Sequence, residues 1–266
     1  MTDNNAKLCC RNIRKKILFS IYHARSGHIG PSLSVVELIY LILKLGVNFK
    51  KKDRNKFILS KGHAAPAFYA VLDELNLLKK NELKSLRKIN SRLQGHPDKK
   101  KLNLVDTGSG ALGQGLSISI GYTLGSRLLN TKNKIFCLLG DGEIQEGQIW
   151  EAAMYIGAHN LKNIITFIDG NKFQNERSID ETLPEKNLIN KWKSFGFQTI
   201  SIDGHSIPSI EKIIKLFLKN KYKKPLLVYC NTIKGKGVSF MENNNKYHSV
   251  KDLSEEYYKK AILELN

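Results

Sequence analysis

The sequence predicts an α/β protein, a parallel sheet with helices on both faces. Three observations lead there. Short apolar runs at 57–59, 135–139, 164–168, 198–202 and 225–230 alternate with stretches of helical spacing. The segment KIFCLLGDGEIQEGQIWEAAMYIGAHNLKNIITFIDGNKFQ at 134–174 reads as strand, turn, helix, strand and turn. Finally, 41% hydrophobic residues in a chain of 266 suffice for a substantial core. That length could also hold two small domains. No Pro-rich linker, internal repeat or low-complexity tract divides the chain, so one domain over 1–266 is predicted.

The elements follow in order. Residues 6–25 have amphipathic helical spacing, with Leu8, Ile13, Ile17, Leu18 and Ile21 towards the core. Gly27, Gly30 and Pro31 then break the chain, and His28 lies in that break. Ser32 or Ser34 is expected to cap the buried helix that follows. Residues 57–59 form a short strand, Ser60-Lys61-Gly62-His63 the turn after it, and a long helix follows. Residues 79–92 are expected to form a charged surface helix, and His96 sits in the Gly/Pro loop after it.

Gly108, Gly110 and Gly113 satisfy the letters GxGxxG. No strand precedes them, and the first acidic residue after Asp106 is Asp141, so a dinucleotide site scores poorly. They read better as a turn opening a small-residue helix at 116–124, where Gly113 and Gly115 allow close packing. In the helix at 148–159, Trp150, Ala153, Met154 and Gly157 share a face. Residues 187–192 and 207–218 are helical, with strands at 198–202 and 225–230. A last amphipathic helix at 252–265 aligns Leu253, Tyr257, Ala261 and Leu265. His23, His159 and His205 are expected to be structural.

The net charge of +19 raises the question of nucleic acid. Lys outnumbers Arg 35 to 8, whereas base reading and bidentate phosphate contacts favour Arg. Abundant Asn and Ile point to compositional drift in an AT-rich genome. The alternative is steering of phosphorylated substrates or docking of an acidic partner. The greasiest stretch, 33–45, is interrupted by Glu37 and too short for a membrane span. The N-terminus shows no signal-peptide apolar segment, and the four cysteines lack CxxC spacing. A cytoplasmic protein that binds neither nucleic acid nor membrane is the expectation.

The central unit carries the chemistry. A strand–helix–strand connection crosses over right-handed and leaves its strands parallel. The strands at 135–139 and 164–168 then end at one edge of the sheet, roughly 5 Å apart. Asp141 and Asn171, 30 positions apart, meet there. A carboxylate and an amide oxygen make a hard pair suited to Mg²⁺. Gly140 and Gly142 let backbone N–H groups approach a phosphate at the start of a helix. An isolated Gly-Asp-Gly would be only a strand-ending turn; the second strand and its Asn make it a candidate site.

GDG followed after such an interval by Asn is the pattern of thiamine-diphosphate enzymes. The run GDGEIQEGQIWEAAM with DGNKFQ resembles the N-terminal region of transketolase. The resemblance extends over nearly the whole chain, through SGHIG, SKGHA, QGHP, GSGALGQG and TIKGKG–SFMEN–H. Ile29 and Pro31 depart from the commonest SGHPG form. The resemblance implies a single diphosphate- and Mg²⁺-binding domain of the thiamine-diphosphate fold. It implies Mg²⁺ on Asp141, Asn171 and the backbone carbonyl of Phe173. His63, Lys234, His248 and Gly142 would meet the diphosphate, and backbone near Gly110 and Leu112 the rings. His28, His96 and His248 would act on sugar oxygens or shuttle protons. Glu146 would lie at an interface holding a buried acidic network.

Full-length transketolases continue for several hundred residues, and their middle domain binds the aminopyrimidine and supplies the activating glutamate. The resemblance therefore implies the N-terminal subunit of a split transketolase. It would pair with a C-terminal subunit, two copies of each, and transfer a two-carbon ketol unit between sugar phosphates. Rival readings are 1-deoxyxylulose-5-phosphate synthase and the E1 α subunit of a 2-oxo acid dehydrogenase. The EIQEGQIWEAAM wording and the SGH and GHP histidines favour transketolase. A non-catalytic basic binding protein would instead bind nucleic acid with strong salt dependence.

Overall fold

The computed structural model describes residues 3–175, 177–184 and 186–266. The chain opens with helix α1 (Asp3–Ala24) and the short helices α2 (Gly30–Leu33) and α3 (Val36–Leu41). Strand β1 (Lys56–Leu59) leads into α4 (Ala65–Glu74), and a long loop connects to α5 (Gln114–Leu128). Strand β2 (Ile135–Gly140), helix α6 (Gly147–Ala158) and strand β3 (Ile164–Gly170) form the central unit. A two-residue hairpin, β4 (Phe173–Gln174) with β5 (Arg177–Ser178), precedes α7 (Ile179–Thr182) and α8 (Leu188–Ser194). Strand β6 (Gln198–Asp203), α9 (Ile207–Leu218), β7 (Leu226–Asn231) and α10 (Glu255–Glu264) complete it.

The main sheet has the order β1-β2-β3-β7-β6, parallel at every pairing. Every residue of β2 and β3 is buried, as a strand covered on both faces requires. Side chains alternate between the two cores. Phe136, Leu138, Ile165 and Phe167 join residues of α1, α3, α4 and α9. Ile135, Cys137, Leu139, Ile164 and Ile168 join Leu116 of α5, Trp192 of α8 and the α6 residues Ile149, Ala152, Ala153 and Ile156. Each Leu, Ile or Phe among them contributes about 1.5–3 kcal/mol on full burial.

Several elements differ from their sequence expectation. Residues 79–92 form no helix beyond a single tight turn at Glu82–Ser85. Asn81, Arg87 and Asn90 adopt left-handed backbone there. Glu82 grips Arg92 through two bonds of 2.8 and 2.9 Å and also accepts Lys79 N–H. The expected buried helix after Pro31 is split into α2, α3 and a π-helical turn at Ile42–Gly46. Neither Ser32 nor Ser34 caps it. The Ser32 hydroxyl donates to the His28 carbonyl at 2.6 Å, and Ser34 donates to Asp169 at 2.8 Å. Leu8, Met154 and Tyr257 are about half exposed rather than core-facing.

Candidate functional site

The loops after β1, β2, β3 and β7 open at the carboxyl edge of the sheet, where open parallel sheets bind ligands. A cavity of about 420 Å³ lies among them. His28 and Pro31 line it from the break before α2, and Lys61 and His63 from the turn after β1. Gly110 and Leu112 come from the loop before α5, with His96 beside them. Gly140, Asp141 and Gly142 enter after β2, and Asn171 and Phe173 after β3. Lys234 and His248 close it from the segment after β7. A larger cavity of about 570 Å³, between the 94–98 loop and α5, shares His96 but lacks Asp141 and Asn171.

Asp141 follows Gly140, which pairs with Asp169 in the β2–β3 register. Its Oδ1 accepts the Gly142 N–H at 2.9 Å, and its Oδ2 accepts the N–H of Lys172, the residue after Asn171. The two strands thus deliver Asp141 and Asn171 to one rim. Burial, and then the nearby Asp169 carboxylate, raise Asp141 to about 7, with Lys61 opposing. Burial and a like charge disfavour its ionised form, and a positive charge close by would favour it. Asn171 Oδ1 accepts the Phe173 N–H at 3.0 Å.

Positive groups stand on the other side. The Lys234 ammonium donates to the Asn175 carbonyl at 3.0 Å and to Asn245 Oδ1 at 2.8 Å. It lies 5.2 Å over the Phe173 ring. Burial, then repulsion from Lys61, lower it to about 8 against the pull of Asp141 and Asp169. His28 packs 5.5 Å from both His63 and His248 and 6.3 Å from His96. Burial is the largest cause in all four imidazoles, lowering His28 to about 4 and His248 to about 3. His63 is held well below its ordinary value, and His96 is lowered too. Among the described residues, the buried His248 Nδ1 has no hydrogen-bond partner.

The loops are locked together by Glu143. Its Oε1 accepts the Ser60 hydroxyl and the Gly113 N–H, and its Oε2 the Gly140 N–H at 3.0 Å. Gly113 has φ of +81°, and a Cβ there would meet the Glu146 Cβ at 2.8 Å. Only glycine satisfies both conditions. Gly115 packs as expected, since an added Cβ would lie 2.4 Å from Ser60.

Residues 5–261 match the family described as transketolase, thiamine diphosphate binding domain. The chain belongs to this transketolase family. Its relatives include the 6-deoxy-6-sulfo-D-fructose transketolase subunit SqwG of Clostridium sp. (strain MSTE9), 38% identical over 95% of this chain and 93% of that protein. An apulose-4-phosphate transketolase subunit from Phocaeicola vulgatus is 32% identical over 95% and 91%. The transketolase of Mus musculus is 33% identical over 85% of this chain and only 36% of its own length. The crystal structure of Campylobacter jejuni transketolase superposes with a TM-score of 0.92 at 28% identity, covering all of this chain and 43% of that one. The chain thus spans less than half the length of the full transketolases it matches.

Within this transketolase domain, each site residue expected from sequence lines the one cavity: His28, His63, His96, Gly110, Leu112, Asp141, Gly142, Asn171, Phe173, Lys234 and His248. Glu146 is exposed at its mouth. His205 is structural, bonding Glu37 at 3.0 Å and accepting the Ile233 N–H at 3.0 Å. His23 and His159 are exposed. Sequence reasoning missed Lys61, Glu143 and Asp169, all nearly inaccessible to solvent. The signals were present: Lys61 within SKGH, Glu143 directly after GDG, and Asp169 two positions before Asn171. No helix among the described residues is long and apolar enough to cross a membrane.

Proposed function

We propose that this chain is the N-terminal subunit of a two-chain transketolase. It binds the Mg²⁺–diphosphate end of thiamine diphosphate and helps move a two-carbon ketol unit from a ketose phosphate to an aldose phosphate. The observation that carries this is that Asp141 and Asn171, which follow the paired ends of β2 and β3, line one cavity together with Lys234 and the imidazoles. The residues fit both groups: a buried carboxylate and a buried amide in one cavity suit a divalent cation, and the His248 Nδ1, without a partner among the described residues, suits an anion with the buried Lys234 ammonium lining the same cavity.

Asp141, Asn171 and the Phe173 carbonyl would hold Mg²⁺. His63, Lys234 and His248, with the backbone at Gly142, would hold the diphosphate. Gly110 and Leu112 would face the rings. Thiamine diphosphate, when bound, supplies the electron sink for cleaving and making the carbon–carbon bond. The protein's own part is binding, orientation and proton management. Neutral imidazoles at His28 and His96 carry both a donor and an acceptor nitrogen. They can orient sugar hydroxyls and hold or pass a proton at those atoms. His248 serves the same end at the boundary with the diphosphate.

Two relatives named as subunits, matched over more than nine-tenths of their length, support a partner-dependent enzyme. The partner would bring the aminopyrimidine site and an activating glutamate, in an assembly of two chains of each kind. Glu146, exposed at the cavity mouth, would meet it. The experiment is to mix this chain with a candidate C-terminal chain, Mg²⁺ and thiamine diphosphate, and assay ketol transfer. Activity should require both chains and vanish with Asp141→Ala. Undiminished transfer by Asp141→Ala would refute the assignment.

A further inference from the structure

We propose that Asp169 is a positioning residue for the cation site: its buried carboxylate fixes which end of the Asn171 amide faces the cavity. The proposal rests on the function just set out. Asp169 is fully buried, in register with Gly140 of β2 on one side and Cys230 of β7 on the other. Its Oδ2 accepts Asn171 Nδ2 at 2.7 Å, Ser34 Oγ at 2.8 Å and the Lys61 ammonium. Its Oδ1 accepts the Thr232 hydroxyl. These partners arrive from the segments after β3, α2, β1 and β7, so the carboxylate is held from several directions.

The Asn171 amide is therefore committed at both ends. Its nitrogen donates to Asp169, and its oxygen accepts the Phe173 N–H at 3.0 Å. Inverting it would set NH₂ against an N–H donor and oxygen against a carboxylate. Two hydrogen bonds would become two repulsions. The orientation seen offers the remaining lone pair of Oδ1 to a ligand, and oxygen is the atom a hard cation takes. Lys61, only 1% exposed, sits directly against the carboxylate. Its charge balances Asp169 in place. Asp169 thus orients a ligand without itself becoming a competing anionic one, the arrangement by which groups behind metal ligands tune affinity.

The test titrates Mn²⁺, standing in for Mg²⁺, into the full chain with thiamine diphosphate, reading free Mn²⁺ by electron paramagnetic resonance. Lys61→Met/Asp169→Leu replaces the buried pair with apolar side chains, a change buried pairs often tolerate. It also removes the acceptor for Asn171. The variant should unfold at a lower temperature, since Asn171, Ser34 and Thr232 lose their acceptor, but remain folded at room temperature while Mn²⁺ affinity falls about 10–100-fold. A folded double variant with parental affinity would overturn the proposal.

A second comparison does not depend on that variant folding. Asn171→Asp alone sets two carboxylates together and should weaken Mn²⁺ binding by about tenfold or more. Asp169→Asn/Asn171→Asp reverses the direction of the hydrogen bond and should restore binding to near the parental level. Tighter binding by Asn171→Asp alone, as an added carboxylate by itself would give, also overturns the proposal. A parent chain that takes up no Mn²⁺ contradicts the proposed function itself and removes the inference with it.

Discussion

Four imidazoles share one cavity, and each is kept neutral by burial first. For His28 the groups facing it are Arg87, His96 and Lys61, with the His63 and His248 rings in contact range. Its value falls from 6.5 to about 4. In the unfolded chain the imidazole takes up a proton as pH drops through 6.5; in the folded chain it does not until about 4. Stability linked to His28 is therefore intact above 6.5, declines as pH falls through this window, and is fully lost below about 4. In denaturant titrations between pH 7 and pH 4, the parent should lose on the order of 2 kcal/mol more than His28→Asn. Parallel losses would mean that His28 protonates normally. The residues legible in the sequence were those whose spacing alone sets them at strand ends, Asp141 and Asn171 above all. Lys61 and Glu143 were not, because their partners are remote: Asp169 lies 108 positions from Lys61, and Ser60 lies 83 from Glu143. Their places beside the motifs were visible, but nothing local names the remote partner that each one binds.

Helix α6 begins at Gly147, after the tight turn Gly142–Gln145 that follows β2, and its C-terminal end packs close to the chain at the end of α8. Gly157 makes that approach possible, for an added Cβ would lie 1.5 Å from the Phe195 carbonyl oxygen. Gly157→Ala should destabilise the fold by about 3 kcal/mol, lowering the unfolding midpoint by roughly 6–12 °C. An unchanged midpoint would show that α6 can shift outward freely. The strands that sequence located well, β2 and β3, have long unambiguous apolar patterns buried on both faces, and α6 was placed correctly although its buried stripe runs through Ile149, Ala152, Ala153 and Ile156. Those it misplaced lacked that support. The 79–92 stretch is rich in charge, but its acidic group is spent on Arg92 rather than on a helical neighbour, and left-handed Asn residues punctuate it. Periodicity also overstated the apolar stripes of α1, α6 and α10. Leu8, Met154 and Tyr257 fall at the margin of the buried arc and remain partly in solvent.

At the scale of the molecule, the order β1-β2-β3-β7-β6 gathers the functional loops. Three adjacent central strands, β2, β3 and β7, deliver the acid, the amide and the lysine to one edge. The outer segments then add histidines, so the site is a consequence of parallel topology rather than of any one loop. The parallel sheet and the neighbouring ends of β2 and β3 could be read from strand–helix alternation; the place of β7 beside β3 could not. The two separate cores and the cross-links through Glu143 could not, since they depend on which helices cover which face.

The most direct measurement is an anomalous diffraction map from crystals of the chain, alone or with its partner, grown with thiamine diphosphate and Mn²⁺. The account predicts a single strong peak at the edge between β2 and β3, ligated by the Asp141 carboxylate and Asn171 Oδ1, with the diphosphate towards Lys234 and His248. A peak that touches neither side chain, or a cofactor seated in another cavity, would contradict it.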